Sequence, residues 1–208
     1  MRIARPALCL ALVASLSAAG FAGAATRPKP KPVCKIITDV TGDSALTTAT
    51  PVGSDDAFDI VSGDLAANAK TITGVIRVAK AGDPSTAPFG HGFVMTFSAP
   101  GSANPLYLRY SSSPAFGEAY EFGYDDPTNG LTTLGDASGV VDTAKNEIRI
   151  SAPLRGFDAQ AVIKPGMKLT NITAQTSRDF IALLIYADVA ESSKSYVVGY
   201  PSCVVPGK

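Results

Sequence analysis

Tryptophan is absent from this 208-residue chain, and histidine occurs once, at His91. A single imidazole cannot build a histidine-type zinc site, and it leaves a serine–histidine–acid triad with one candidate base. Charge is scarce as well: 17% of residues are Asp, Glu, Lys or Arg, against about 25% in an average globular chain. Without residues 1–25 the chain keeps 16 basic and 18 acidic side chains, a net charge of about −2, with no basic cluster of the kind that holds nucleic acid. Long hydrophobic runs are confined to the N-terminus. Residues 8–16 are apolar apart from Ser15, Arg2 and Arg5 precede them, and Ala22-x-Ala24 and Gly23-x-Ala25 offer small-residue cleavage sites. Roughly 17 apolar residues diluted by Ser and Gly fall short of the ~20 that a span needs, so residues 1–25 read as a signal peptide. The expected product is secreted (extracellular or periplasmic), with no membrane span after signal cleavage.

Cysteine is nearly as rare. Cys9 leaves with the signal, and Cys34 and Cys203 remain near the two ends of the mature chain. In an oxidising compartment an even pair predicts a disulfide; the rival, a two-cysteine metal site, lacks histidine partners. Residues 26–33 contain three X-Pro steps separated by lysines, the composition of an extended, solvated linker.

What is plentiful is Gly (19) and Pro (15), punctuating short runs with a period of two. In residues 70–80, Ile72, Gly74, Ile76 and Val78 share a face opposite Thr71, Thr73 and Arg77. Residues 91–97 align His91, Phe93, Met95 and Phe97, while Leu106, Leu108 and Tyr110 alternate with Tyr107 and Arg109. Tyr120, Phe122 and Tyr124, then Ile148 and Ile150, then Phe58 and Ile60 repeat the pattern. The run 180–189 is apolar on both parities, which suits a buried helix or a central strand; its isoleucines and strand-rich neighbours favour the strand, and residues 153–160 leave room for one helical turn. Residues 34–205 are therefore expected to form one all-β domain, an antiparallel, jelly-roll-like β-sandwich with its termini tied by the disulfide.

Among motifs with chemistry, Gly42-Asp43-Ser44 resembles the nucleophile block of GDSL-type hydrolases over three residues only, and no histidine follows His91 to serve as base. Gly135-Asp136-Ala137-Ser138-Gly139 approaches a nucleophile elbow but falls between hairpins and reads as a turn. Asn171-Ile172-Thr173 is a glycosylation sequon, relevant only in a eukaryotic source. The acids near the start carry more information. Asp39, Asp43, Asp55, Asp56 and Asp59 crowd around Gly42 and Gly53, and hard cations take carboxylate and carbonyl oxygens from such loops. These five are the candidate calcium ligands; the plainer reading is that they cap turns.

The frame Cys34, Asp39-x-x-Gly42-Asp43, Ala57-Phe58-Asp59-Ile60, Asp64-Leu65-Ala66, Thr71-x-x-Gly74-Val75-Ile76-Arg77-Val78 and Tyr196-Val197-Val198-Gly199-Tyr200-x-x-Cys203 resembles secreted bacterial β-sandwich domains of the DOMON-like kind. These include C-terminal modules of some glucodextranases and carbohydrate-binding modules. The resemblance implies a jelly-roll-like sandwich, calcium near the Asp-x-x-Gly-Asp turn, and a sugar or haem ligand. With no tryptophan to stack on a pyranose ring, Tyr107, Tyr110, Tyr120 and Tyr124 are the available substitutes; haem would need His91 with Met95 or Met167. The expected function is that of a non-catalytic binding or structural module with a carbohydrate or cell-surface partner. The alternative is a glycosidase-like hydrolase using paired carboxylates among Glu118, Glu121, Asp125 and Asp126.

Overall fold

A computed structural model describes residues 29–44, 55–82, 87, 89–180 and 183–207; the expected signal peptide, the first residues of the expected linker and the Asp83-Pro84 part of one expected turn lie outside the described residues. Two antiparallel sheets face each other. The first has the order β1-β2-β3-β9-β8, built from Ile37–Thr38 (β1), Ile60–Ala67 (β2), Thr71–Val78 (β3), Ser138–Asp142 (β8) and Glu147–Pro153 (β9). The second has the order β11-β10-β4-β5-β6-β7, with Leu183–Glu191 (β11), Lys168–Phe180 (β10), His91–Ser98 (β4), Leu106–Ser113 (β5), Gly117–Asp126 (β6) and Gly130–Asp136 (β7). A short β12, Tyr196–Val197, also pairs with β10.

The period-two pattern explains the core, because alternate side chains of each strand point to one face of its sheet. Ile72, Ile76 and Val78 of β3 meet Phe93, Met95 and Phe97 of β4 and Leu106 and Leu108 of β5, all buried in one cluster. Glycine has a specific use there. A β-carbon on Gly74 would lie 2.9 Å from the Met95 sulfur, so the missing side chain lets the two sheets close over that methionine. A 3-10 turn at Leu154–Phe157 supplies the expected helical turn and packs Phe157 on Phe97 and Phe122.

Three features depart from simple alternation. Val75 and Ala66 face away from the core yet are fully buried, because the C-terminal segment folds back and lays Val204 on them. The Gly207 amide then donates to the Thr73 hydroxyl at 2.9 Å. The run 180–189 is not one strand: β10 ends at Phe180, β11 begins at Leu183, and the two pair across the reversal. No turn residue marks that reversal, so an apolar stretch shared by two strands reads as one. Finally, the Gly135–Gly139 stretch carries the chain from one sheet to the other, with the Ala137 amide bonded to the Tyr120 carbonyl at 2.8 Å.

Cys34 and Cys203 form the disulfide, with Cα atoms 5.2 Å apart. Beside it Val33 bridges Ser202, so both ends of the described chain are fixed at one place.

Candidate functional site

The loop after β1 is shaped by its own acids. Asp39 accepts the Val40 amide at 2.9 Å, and the chain then turns through Gly42 at φ +89, a left-handed conformation that glycine adopts without penalty. Both carboxylate oxygens of Asp59, a residue 1% exposed, accept the Gly42 amide at 2.9 Å. Beyond the turn Ser44 exchanges two hydrogen bonds with the backbone of Asp55, at 3.0 and 3.1 Å. The 39–44 loop is thus stitched to the entry of β2.

That stitching presents Asp39 and Asp43 to a third carboxylate, Asp188 on β11. One oxygen from each lies within 4.8 Å of the other two. Asp188 is 8% exposed and is itself held, its oxygens accepting the Ile60 amide at 2.7 Å and the Val189 amide at 2.7 Å. The first of these bonds links the two sheets, and nearby the Thr176 hydroxyl donates to the Phe58 carbonyl at 2.9 Å. Asp43 is exposed and Asp39 half-buried, so the group opens to solvent on one side. The second oxygen of Asp39 is buried and, among the described residues, has no hydrogen-bond partner.

The electrostatics follow from burial and like charge. Burial pushes the Asp188 carboxyl up to about 6, an effect opposed by the Ile60 amide and reinforced by the neighbouring Asp39 and Asp43. Burial also raises Asp39, against the Val40 bond and with Asp43 and Asp59 adding to the rise. Such shifts mark carboxylates that are costly to ionise together and are relieved by a proton or a cation.

Of the five residues read from the sequence, Asp39 and Asp43 enter this group and the other three serve it or stand apart. Asp59 is the brace under Gly42. Asp55 accepts the Ala57 amide at 3.0 Å and acts electrostatically on Arg178, and Asp56 is exposed. Asp188 was not among them, although an acid inside an apolar run is itself a signal.

The other candidates do not converge. On β6, Glu118 and Glu121 point to opposite faces: Glu118 accepts the Tyr110 hydroxyl at 3.2 Å, and Glu121 lies 3.6 Å from Arg109. Glu121 and Asp125 share a face but stand four residues apart, about 13 Å along a strand, beyond the spacing of a carboxylate pair for glycoside hydrolysis. Asp126 caps the next turn through the Thr128 and Asn129 amides at 2.8 and 3.0 Å. His91 is 6% exposed among Phe58, Phe93 and Tyr110, with ring centroids 5.9 to 6.3 Å away. Met95 lies four residues along the same strand, again about 13 Å, and the Met167 sulfur accepts the Lys164 amide. The residues present do not fit a haem with His91 and Met95 as axial ligands. No family model and no curated protein matches this chain.

Proposed function

We propose that the chain is a non-catalytic binding or structural module of the extracellular or periplasmic space, that it meets a carbohydrate or cell-surface component, and that calcium stabilises it through Asp39, Asp43 and Asp188. The observation that supports the metal reading is the meeting of three carboxylates, one oxygen from each within 4.8 Å of the other two; one of the three, Asp39, also carries a buried oxygen without a hydrogen bond among the described residues. The donors are all hard oxygens, and the exposed side leaves room for the waters and carbonyls that complete a calcium shell. Calcium there would neutralise charges that burial makes costly and would fasten the N-terminal loop to β11. The secreted reading draws on the disulfide, which persists in oxidising compartments, and on the signal-like N-terminus. The DOMON-like resemblance adds the same metal position and a glycan partner.

The experiment is thermal melting of the purified chain in millimolar calcium and in chelator. Weak extracellular-type sites saturate in that range. A tenfold excess over Kd adds about 1.4 kcal/mol to the folded state, or roughly 3–6 °C for a domain of this size. Asp43→Asn, on an exposed side chain, should abolish the response without unfolding the protein. Superimposable melting curves in calcium and chelator would remove the metal reading.

A further inference from the structure

The outer face of the second sheet is not flat. Val94 and Thr96 of β4 point away from the core, and among the described residues no layer covers them, yet they are only 8% and 9% exposed. They are the floor of a trough of about 280 Å³. One wall is the Tyr186 side chain on the edge strand β11, 58% exposed; the other is Leu131 at the β6–β7 hairpin, 37% exposed. Between them the trough crosses β10, β4, β5 and β6, a width of about 20 Å at the usual strand spacing.

Its polar groups come in both kinds, side by side. Arg109 offers a planar set of donors and lies 3.6 Å from Glu121 on the same face; Asp125 offers acceptors, and Gln175 offers both. One cation among two acids gives a polyanion nothing to pair with, and the guanidinium opposes a polycation at the trough's centre. A neutral chain bearing many hydroxyls satisfies these groups from either side, and the tyrosine ring and the leucine present apolar surface to the C–H face of such a ligand. A pyranose combines these two surfaces, and the width of the trough suits several linked units rather than one.

We propose that this trough binds a neutral oligosaccharide, with Tyr186 as the stacking wall and Arg109, Asp125 and Gln175 as the hydroxyl-reading groups. The inference rests on the binding-module reading above and gives it a place and a ligand class; it involves none of the tyrosines singled out from the sequence. The test is native electrophoresis through gels containing soluble β-glucan, starch dextrin, galactomannan or arabinoxylan, with polygalacturonate as the anionic control. At least one neutral polymer should retard the protein and polygalacturonate should not. Tyr186→Ala should weaken the retardation more than tenfold and Arg109→Gln should weaken it measurably. Phe116→Ala, which removes a 93% exposed ring from the distant β5–β6 turn, should change nothing. Melting each variant in calcium and chelator keeps the two readings apart, since Tyr186→Ala should retain any calcium response and Asp43→Asn should retain the retardation. Free migration in all four neutral gels, retardation that survives Tyr186→Ala, or retardation by polygalacturonate alone would overturn the proposal.

Discussion

Replacing Asp188 by Asn should change the stability of the calcium-free protein in opposite directions at low and neutral pH. The carboxyl is raised from 3.8 to about 6, chiefly by burial. A carboxylate raised in the folded state binds more protons folded than unfolded between about pH 4 and 6. Stability therefore falls as pH rises through that window and levels off above it. At about 1.4 kcal/mol per pH unit, a rise from 3.8 to about 6 makes ionisation cost up to about 3 kcal/mol at pH 7.5. Asn removes that cost. It also has one oxygen where Asp188 uses two, so either the Ile60 or the Val189 amide loses its acceptor, at about 1–2 kcal/mol.

The net expectation is a variant about 1–2 kcal/mol more stable than the parent at pH 7.5 without calcium, and less stable by about 1 kcal/mol at pH 4, where the native carboxyl is already neutral. Urea unfolding of both proteins at pH 4, 5, 6 and 7.5 in chelator measures this, and the difference between them cancels the titrating groups that do not interact with Asp188. Millimolar calcium at pH 7.5 should then reverse the order, because only the parent gains. A variant that is less stable by the same amount at every pH would show Asp188 to be a backbone cap without an ionisation cost. That result would remove the electrostatic half of the metal argument.

Other perturbations test the frame that holds the site. Arg77 bonds Asp64 at 2.7 Å and Glu147 at 2.8 Å, so Arg77→Met strands the buried Asp64, leaves Glu147 with Arg149 at 3.2 Å, and should cost about 3–5 kcal/mol in urea unfolding. Tyr196→Phe removes a buried hydroxyl that accepts the Ala67 amide at 2.9 Å and bonds the Tyr200 carbonyl at 2.9 Å; a loss of about 1–3 kcal/mol is expected, with no change in calcium response. The Cys34→Ala, Cys203→Ala double variant frees a loop spanning a sequence separation of 169 and should lower the unfolding free energy, read from the denaturation midpoint, by at most about 5 kcal/mol in the chain-entropy account. A thiol probe should label the parent only after reduction.

The sandwich was legible because each strand turns its more apolar face to the core, so alternation alone separates Ile72, Ile76 and Val78 from Thr71 and Arg77. The disulfide was legible because removing Cys9 leaves one possible pair. Two other burial events carry no local signal. Val75 is covered by Val204, and Tyr107 on the outer face of β5 is covered where its hydroxyl meets Thr133 at 3.0 Å. Both depend on segments distant in the chain, which a period of two cannot report. The acid cluster divides along the same line. Asp39 and Asp43 belong to one turn and declare themselves, whereas Asp188 arrives through the pairing of β11 with β10 and the packing of the two sheets.

That division bears on how such a site could work. The 39–44 loop follows a two-residue strand, β1, and a chain segment held at Cys34. Left to itself, so short a strand gives the loop little order. Asp59 fixes Gly42 from just before β2, whereas Asp188 reaches across from the other sheet as one buried carboxylate facing two others. Without a cation the attraction between backbone amides and acids that positions the loop is opposed by repulsion among Asp39, Asp43 and Asp188. With a cation the same three charges pull the loop and β11 together. A metal at this place would therefore act on the joint between the sheets at the N-terminal loop, and its removal should loosen residues 39–44 before it loosens the core. Amide exchange at Gly42, whose N–H is held by Asp59, is the site at which that order of events would be read: in chelator it should quicken while the Ile76 amide, deep in β3, does not.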